Sequence, residues 1–358
     1  MSRPTHIRRT MSLVNVHNEW DPLEEIIIGT AVGARVPTAD RSVFAVEYAG
    51  DYDSQDQIPS GAYPDRVVKE TEEELHVLAE ELTKLGVTVR RPRARDNAAL
   101  IKTPDWETDG FHDYCPRDGL LAIGQTIIET PMALRARSLE SLAYKDILRE
   151  YFDSGSRWLA APKPQLADAS YAPHAPAGER LTDMEPVFDA ANILRFGTDL
   201  LYLVSDSGNE LGAKWLQSAV GDTYTVHPCR RLYASTHVDS TIVPLRPGLV
   251  LINPSRVNDR NMPDFLRSWK TITCPELVDI GFTGDKPHCS VWIGMNLLVV
   301  RPDLAVVDRR QTELIKLLEK HGMNVLPLQL THSRTLGGGF HCATLDVRRT
   351  GTLQTYQF

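Results

Sequence analysis

Cys342 ends the run Leu336-Gly337-Gly338-Gly339-Phe340-His341-Cys342, so three consecutive glycines precede a thiol at the start of an apolar segment. Glycines there admit unusual dihedrals and let a ligand or another backbone approach the sulfur. A thiol becomes a nucleophile when its thiolate is stabilised or a base takes its proton. His237, in Thr236-His237-Val238-Asp239-Ser240, can serve, because imidazole titrates near neutral pH. Asp189, in FDAAN, can orient the imidazole and stabilise its protonated form. Asp118 and Asp239 remain. Two further carboxylates would oppose an oxyanion but match the N–H forks of a guanidinium. The set therefore points to attack by Cys342 on a guanidinium carbon. Taken singly, each residue has a plainer role. An Asp before a strand is usually a turn residue, and a Cys entering one usually packs as a small hydrophobe. Cys, His and Asp also bind zinc, but only His237-x-Asp239 has ligand-like spacing, so no metal is expected.

What distinguishes these residues is where they fall. Four segments read as β-hairpins: LLAIGQTIIET (120–130), ILRFGTDLLYLV (193–204), IVPLRPGLVLIN (242–253) and LLVVRPDLAVVD (297–308). A fifth pairs ATLDVRR (343–349) with EEIIIG (24–29). Asp118, Asp189, His237 with Asp239, Ser290 and Cys342 each precede one of them. Helical patterns lie between. PDRVVKETEEELHVLAEELTKLG (64–86) sets Val67, Val68, Leu75, Leu78, Leu82 and Leu85 on one face and ends at Gly86. ELGAKWLQSAVG (210–221) and RQTELIKLLEKHG (310–322) follow suit, and each helix is followed by a strand. The repeated unit is hairpin, helix, strand. Five such units around an axis would form a ring with the hairpin starts converging on its centre. The alternative is an ordinary α/β sandwich with chance hairpins.

The 358 residues carry Lys+Arg 39 against Asp+Glu 47, a formal net charge of −8, which argues against a general nucleic-acid binder. No stretch approaches the apolar length of a membrane helix, and no apolar segment follows the basic start to form a signal peptide. Residues 1–12 read as a loose tail, with Met11 an alternative start, and 13–358 as one catalytic domain. The irregular Pro- and Ala-rich stretch 161–187 reads as a long surface loop. The five cysteines include no CxxC pair, so a reducing cytoplasm is the expected setting. Cys115 is expected to line the same cavity as Asp118, and Cys229, Cys274 and Cys289 to pack structurally.

The motifs NEWDPLEE (18–25), KTPDWET (102–108), PRD (116–118), ETPMALRAR (129–137), APKP (161–164), FDAAN, THVDS, LGGGFHC and DVRRTGTLQTY (346–356) together resemble the amidinotransferases, over nearly the whole chain from Met11. VHNEWDPLEE, DYDSQDQIPSGAYPDR (51–66) and THVDST look most like the streptomycin-pathway members that act on inosamine phosphates. The resemblance implies a five-bladed α/β propeller of pentein type with pseudo-fivefold symmetry. It implies Cys342 as nucleophile, His237 as acid/base, Asp189 as its partner, and Asp118 and Asp239 as guanidinium ligands. It also implies that Arg256, in NPSRVN, and Ser290 hold the amino-acid end of the donor. The donor would be L-arginine, the product L-ornithine and the acceptor an amino-cyclitol phosphate, with no cofactor, nucleic acid or membrane partner and with a homodimer as one expected assembly. Thr236, where the glycine enzyme has methionine, and the divergent segment 281–292 favour an acceptor bulkier than glycine. Arg117, Arg135 and Arg137 are candidates for the phosphate, each with a structural role as the alternative. A guanidine hydrolase of the same fold, or a silent receptor for cationic ligands, would share part of this constellation.

Overall fold

The computed structural model describes residues 12–358. The expected tail at 1–12 lies outside the described residues apart from Ser12, whose hydroxyl meets Ser156 Oγ at 2.8 Å. Five three-stranded sheets of one pattern dominate the α/β fold. Each has an antiparallel pair followed by a third strand parallel to its middle one. The four expected hairpins form as Leu120–Ile123 with Thr126–Glu129, Ile193–Phe196 with Asp199–Leu203, Ile242–Arg246 with Leu249–Ile252, and Leu298–Arg301 with Leu304–Asp308. At two tips Gly124 and Gly248 take φ of +56° and +76°, a region that a side chain disfavours. The fifth pair joins distant parts of the chain: Leu23–Ile28 runs antiparallel to Thr344–Arg349, with Ile28 opposite Thr344.

Helices link the second strand of a unit to its third. Asp65–Lys84 buries Val67, Thr71, Leu75, Leu78 and Leu82. Leu85, expected on that face, is exposed because the helix has ended, and Gly86 turns the chain at φ +85°. Glu210–Val220 and Thr312–Lys320 match their expected places. Lys145–Asp153 supplies a helix that no pattern above singled out. The unit beginning at Ile242 has only the 3₁₀ turn Asp264–Leu266, and its connection carries Pro254 and Pro263, which oppose a helix. The stretch 161–187 is more than a surface loop: Leu166, Tyr171, Leu181 and Val187 are buried against Phe44 and Phe111.

Burial falls from first strand to third. Leu120–Ile123 and Ile193–Phe196 are buried at every residue, whereas Arg157–Ala160 and Lys270–Thr273 are largely exposed. The buried first strands converge on a charged cluster. Arg195 donates to Glu19 Oε2 at 2.7 Å and Asp346 Oδ1 at 2.8 Å, and to the Ala122 carbonyl. Arg117 reaches Asp346 at 2.7 Å, and Arg349 bonds Asp346 and the Val299 carbonyl. Three arginines and two carboxylates thus tie together strands of four sheets. Among the described residues, no helix is long and apolar enough to cross a membrane.

Candidate active site

The segments entering four of the sheets deliver the five residues to one buried place. Asp118 rides on the one-turn helix Pro116–Gly119 just before Leu120. Asp189 begins the 3₁₀ turn that feeds Ile193. His237 and Asp239 precede Ile242, and Cys342 precedes Thr344. Cys342 and Asp189 are each 2 % exposed, Asp118 3 % and Asp239 4 %, while the His237 side chain is 13 % exposed, so the cluster reaches solvent through the imidazole.

His237 Nε2 lies 3.0 Å from Asp189 Oδ2, and its Nδ1 is 3.7 Å from Asp118 Oδ1. The other Asp189 oxygen accepts the Ala133 N–H at 3.0 Å, which fixes the carboxylate's tilt. His237 has φ +63°, a strained setting for a residue with a side chain and one that tight functional geometry commonly imposes. Burial alone would depress its pKa. Asp118, the bond to Asp189, and the field of Asp239 outweigh that and raise it to about 9. His237 therefore rests as an imidazolium at neutral pH.

The Cys342 thiol donates to Asp239 Oδ2 at 3.1 Å. Burial first, then the negative fields of Asp239, Cys115 and Asp118, push it well above the ordinary thiol range, so the resting sulfur is neutral. Asp239 also meets His341 Nδ1 at 2.9 Å. Burial opposes its charge, but His341 and His237 prevail and hold it well below the usual carboxylate range. Asp118 Oδ2 accepts from Arg137 Nη1 at 2.8 Å, while its Oδ1 is buried with no hydrogen-bond partner. A buried carboxylate oxygen that has only an ion pair at 3.7 Å and no hydrogen bond is costly unless a donor completes it.

Arg256 and Ser290 come together, with Nη2 3.2 Å from Oγ. The guanidinium lies 3.5 Å over the Tyr233 ring and donates to Ser240 and Thr241. Among the described residues it has no carboxylate partner, which leaves it available to an anion. Arg117, Arg135 and Arg137 take the structural role instead: all three are buried, paired with Asp346, Asp168 and Glu140 respectively. Cys115 is buried beside Gly338, where an added Cβ would lie 2.6 Å from its sulfur and 3.0 Å from Cys342 Cβ.

Three neighbours escaped the sequence reading. His341 bridges Asp239 and Glu19, linking the site to the charged cluster. Glu47 sits on the π-helical turn Phe44–Tyr48, a geometry frequent at functional sites. Burial raises its carboxyl against the opposing fields of His237, Lys286 and Arg137. Asn296 contacts Cys342 directly, its Nδ2 3.1 Å from Sγ. It stands just before the strand Leu298–Arg301, the same hairpin-start position that marked the others. Among the described residues, no group of three or more His, Cys, Asp or Glu could hold a metal ion.

No family model matches the chain. It is 90 % identical over 348 residues to inosamine-phosphate amidinotransferase 1 of Streptomyces griseus, covering 97 % of this chain and 100 % of that one. It is 36 % identical over 357 residues to the mitochondrial glycine amidinotransferase of Danio rerio, covering 96 % and 84 %. A solved inosamine-phosphate amidinotransferase from Streptomyces griseus superposes with a TM-score of 0.96 at 90 % identity, over 97 % of this chain and 100 % of that one. DDAH from Pseudomonas aeruginosa shares the fold alone, at 13 % identity and a TM-score of 0.58 over 90 % and 99 %. On these likenesses the chain belongs to the amidinotransferases, amidino-transferring enzymes of the α/β pentein fold.

Proposed function

We propose that this enzyme takes the amidino group of L-arginine onto Cys342 and passes it to the amine of an inosamine phosphate, releasing L-ornithine, in streptomycin-type antibiotic biosynthesis. The observation that carries the reading is the buried, unpartnered Oδ1 of Asp118, beside an imidazolium and close to the neutral thiol. A guanidinium held between Asp118 and Asp239 completes that oxygen with an N–H donor. Its positive charge also offsets the burial and the carboxylate fields that keep Cys342 protonated, so the thiol gives its proton to solvent as substrate enters and takes one back when the product leaves. Thiolate attack on the guanidinium carbon gives a tetrahedral adduct. His237 hands its proton to the departing amine, and an amidino-cysteine remains. The acceptor amine then loses a proton to neutral His237 and attacks, and the thiolate leaves. Asp189 holds the imidazole in place for both transfers. Arg256 and Ser290 hold the amino-acid end of arginine. No cofactor enters these steps, since the guanidinium is an electrophile by its own charge.

We also infer that the five sheets are blades of one ring. The graded burial, the pairing of first and last strands, and the cluster of Glu19, Arg117, Arg195, Asp346 and Arg349 support it.

Mass spectrometry of enzyme mixed with arginine alone should show an amidino adduct on Cys342 with one ornithine released. An acceptor panel of amino-cyclitol phosphates and glycine then names the second substrate. An adduct on another cysteine overturns the assignment, and citrulline as sole product replaces transfer by hydrolysis.

A further inference from the structure

Asn296 is 2 % exposed and follows the 3₁₀ turn Val291–Met295. Its side-chain Oδ1 accepts two backbone N–H groups, those of His341 and Cys342, both at 3.0 Å. This settles which way the amide points, because the reversed orientation would aim NH₂ at two donors. The NH₂ is therefore committed to Cys342 Sγ, at 3.1 Å. The Asn296 carbonyl also accepts from His341 N at 3.3 Å. One side chain thus fixes the backbone that carries the thiol and places a donor on the sulfur itself.

The glycine run makes room for this clamp. An added Cβ at Gly339 would lie 2.8 Å from Asn296 Cβ and Oδ1, and 2.9 Å from its carbonyl oxygen. Gly339 is where Asn296 passes, as Gly338 is where Cys115 and Cys342 meet.

We propose that Asn296 is a catalytic residue: its amide holds the Cys342 backbone in place and donates to the sulfur as the thiolate forms. This rests on Cys342 being the nucleophile. The sulfur has two polar contacts of opposite sense. Asp239 accepts its proton, which favours the thiol, and Asn296 donates to it, which favours the thiolate. When the proton leaves, the contact to Asp239 turns repulsive, while that from Asn296 becomes a charge-assisted hydrogen bond. The charged and titratable groups around the sulfur are Asp239, Asp118, Cys115, His341 and the His237 imidazolium; of these, the carboxylates and Cys115 oppose a thiolate. Asn296 is a neutral donor in direct contact with the reacting atom.

The test uses Asn296→Asp and Asn296→Ala in the full chain. Asn296→Asp keeps the shape and the acceptor for both backbone N–H groups but replaces the donor by oxygen. Single-turnover adduct formation with arginine is expected to fall by about 10²–10³-fold, the range for loss of one preorganised donor. The pH profile of iodoacetamide alkylation at Cys342, read by peptide mass, is expected to move upward by about one pH unit or more. Arginine affinity, measured by calorimetry, should stay within roughly threefold, because Asn296 makes no contact with Arg256, Ser290 or Asp118. Asn296→Ala should slow adduct formation and raise the alkylation profile in the same direction, and is readable if the aspartate variant misfolds. An unchanged alkylation profile in a folded variant, even with a slower rate, reduces Asn296 to a structural role and overturns the proposal. Wild-type enzyme that forms no adduct on Cys342 removes the underlying reading instead, and that outcome is seen without any variant.

Discussion

Asp189→Asn tests whether three carboxylates keep His237 charged. In the native site the imidazole titrates near 9 against an ordinary 6.5, although burial pulls the other way. That difference corresponds to roughly 3 kcal/mol in favour of the imidazolium. Asp189 supplies both a hydrogen bond at 3.0 Å and a field, while Asp118 and Asp239 supply fields alone. The substitution preserves shape. The amide oxygen still accepts from Ala133 N, so the NH₂ must face Nε2, which can then only accept. Loss of one such partner lowers a histidine by about one to three pH units. Taking a value near 7, the imidazolium at pH 8.5 falls from roughly three-quarters of the enzyme to about 3 %. Ornithine release in a single turnover should then drop about 25-fold at pH 8.5 from protonation alone, with that part of the loss vanishing near pH 6. Stability has a matching signature. A histidine raised on folding stabilises the protein fully below pH 6.5, and this is lost as pH rises through 9. Wild-type enzyme should lose up to about 3 kcal/mol over that window, and the variant less. Rapid-quench assays and urea titrations from pH 5.5 to 9.5 read both. A variant-to-wild-type ratio constant across that range would refute the reasoning.

Three further substitutions address other parts of the molecule. Gly338→Ala drives a methyl to within 2.6 Å of Cys115 Sγ and 3.0 Å of Cys342 Cβ; overpacking costs about 1–3 kcal/mol, and kcat should fall well beyond what the melting temperature explains. Arg256→Lys removes the planar group stacked 3.5 Å over Tyr233 and bonded to Ser240, Thr241 and Ser290, so KM for arginine should rise at least about tenfold with a smaller change in kcat. Asp346→Asn removes the charged partner of Arg349 and leaves Arg117 and Arg195 sharing Glu19, and urea unfolding should register a loss of about 3–5 kcal/mol. In wild type, Asp346 is held well below the usual carboxylate range, its arginines overcoming burial. Its stabilising effect is thus present above about pH 4 and lost as pH falls below that, and acid unfolding of the variant should show a shallower slope there.

The parts of this architecture that could be read in advance have strong local signatures. Alternating apolar runs around tight turns mark four hairpins within a residue or two, and the polar residue at each start points to the site. The helix Lys145–Asp153 was missed because it buries only Ile147, Leu148 and Tyr151 in nine residues, too short a stripe for its period to show. Asn296 satisfied the hairpin-start rule that singled out Asp118 and Asp189, but an amide lacks the chemistry that drew attention to them. The charged cluster was hidden for another reason. Glu19, Arg117, Asp346 and Arg349 lie in the motifs NEWDPLEE, PRD and DVRRTG, yet their partnership exists only after distant strands meet. Hence the sequence offers Arg117, Arg135 and Arg137 both as phosphate candidates and as structural residues, and the structure pairs them with Asp346, Asp168 and Glu140.

The pairing of Leu23–Ile28 with Thr344–Arg349 has a consequence for how the enzyme comes into being. Cys342 sits just before the later strand, so this thiol is seated by a contact spanning nearly the whole chain. Loop closure over that separation is entropically slow, and it follows rather than precedes the local hairpins. In a chain made from its N-terminus, Leu23–Ile28 lacks the partner of one edge until Thr344–Arg349 exists, and an open strand edge is prone to wrong pairing. Chemistry and completion are thereby coupled: the thiol reaches Asp239 and Asn296 only when the last strand docks. A chain without its last strand therefore lacks the arrangement on which the proposed chemistry depends.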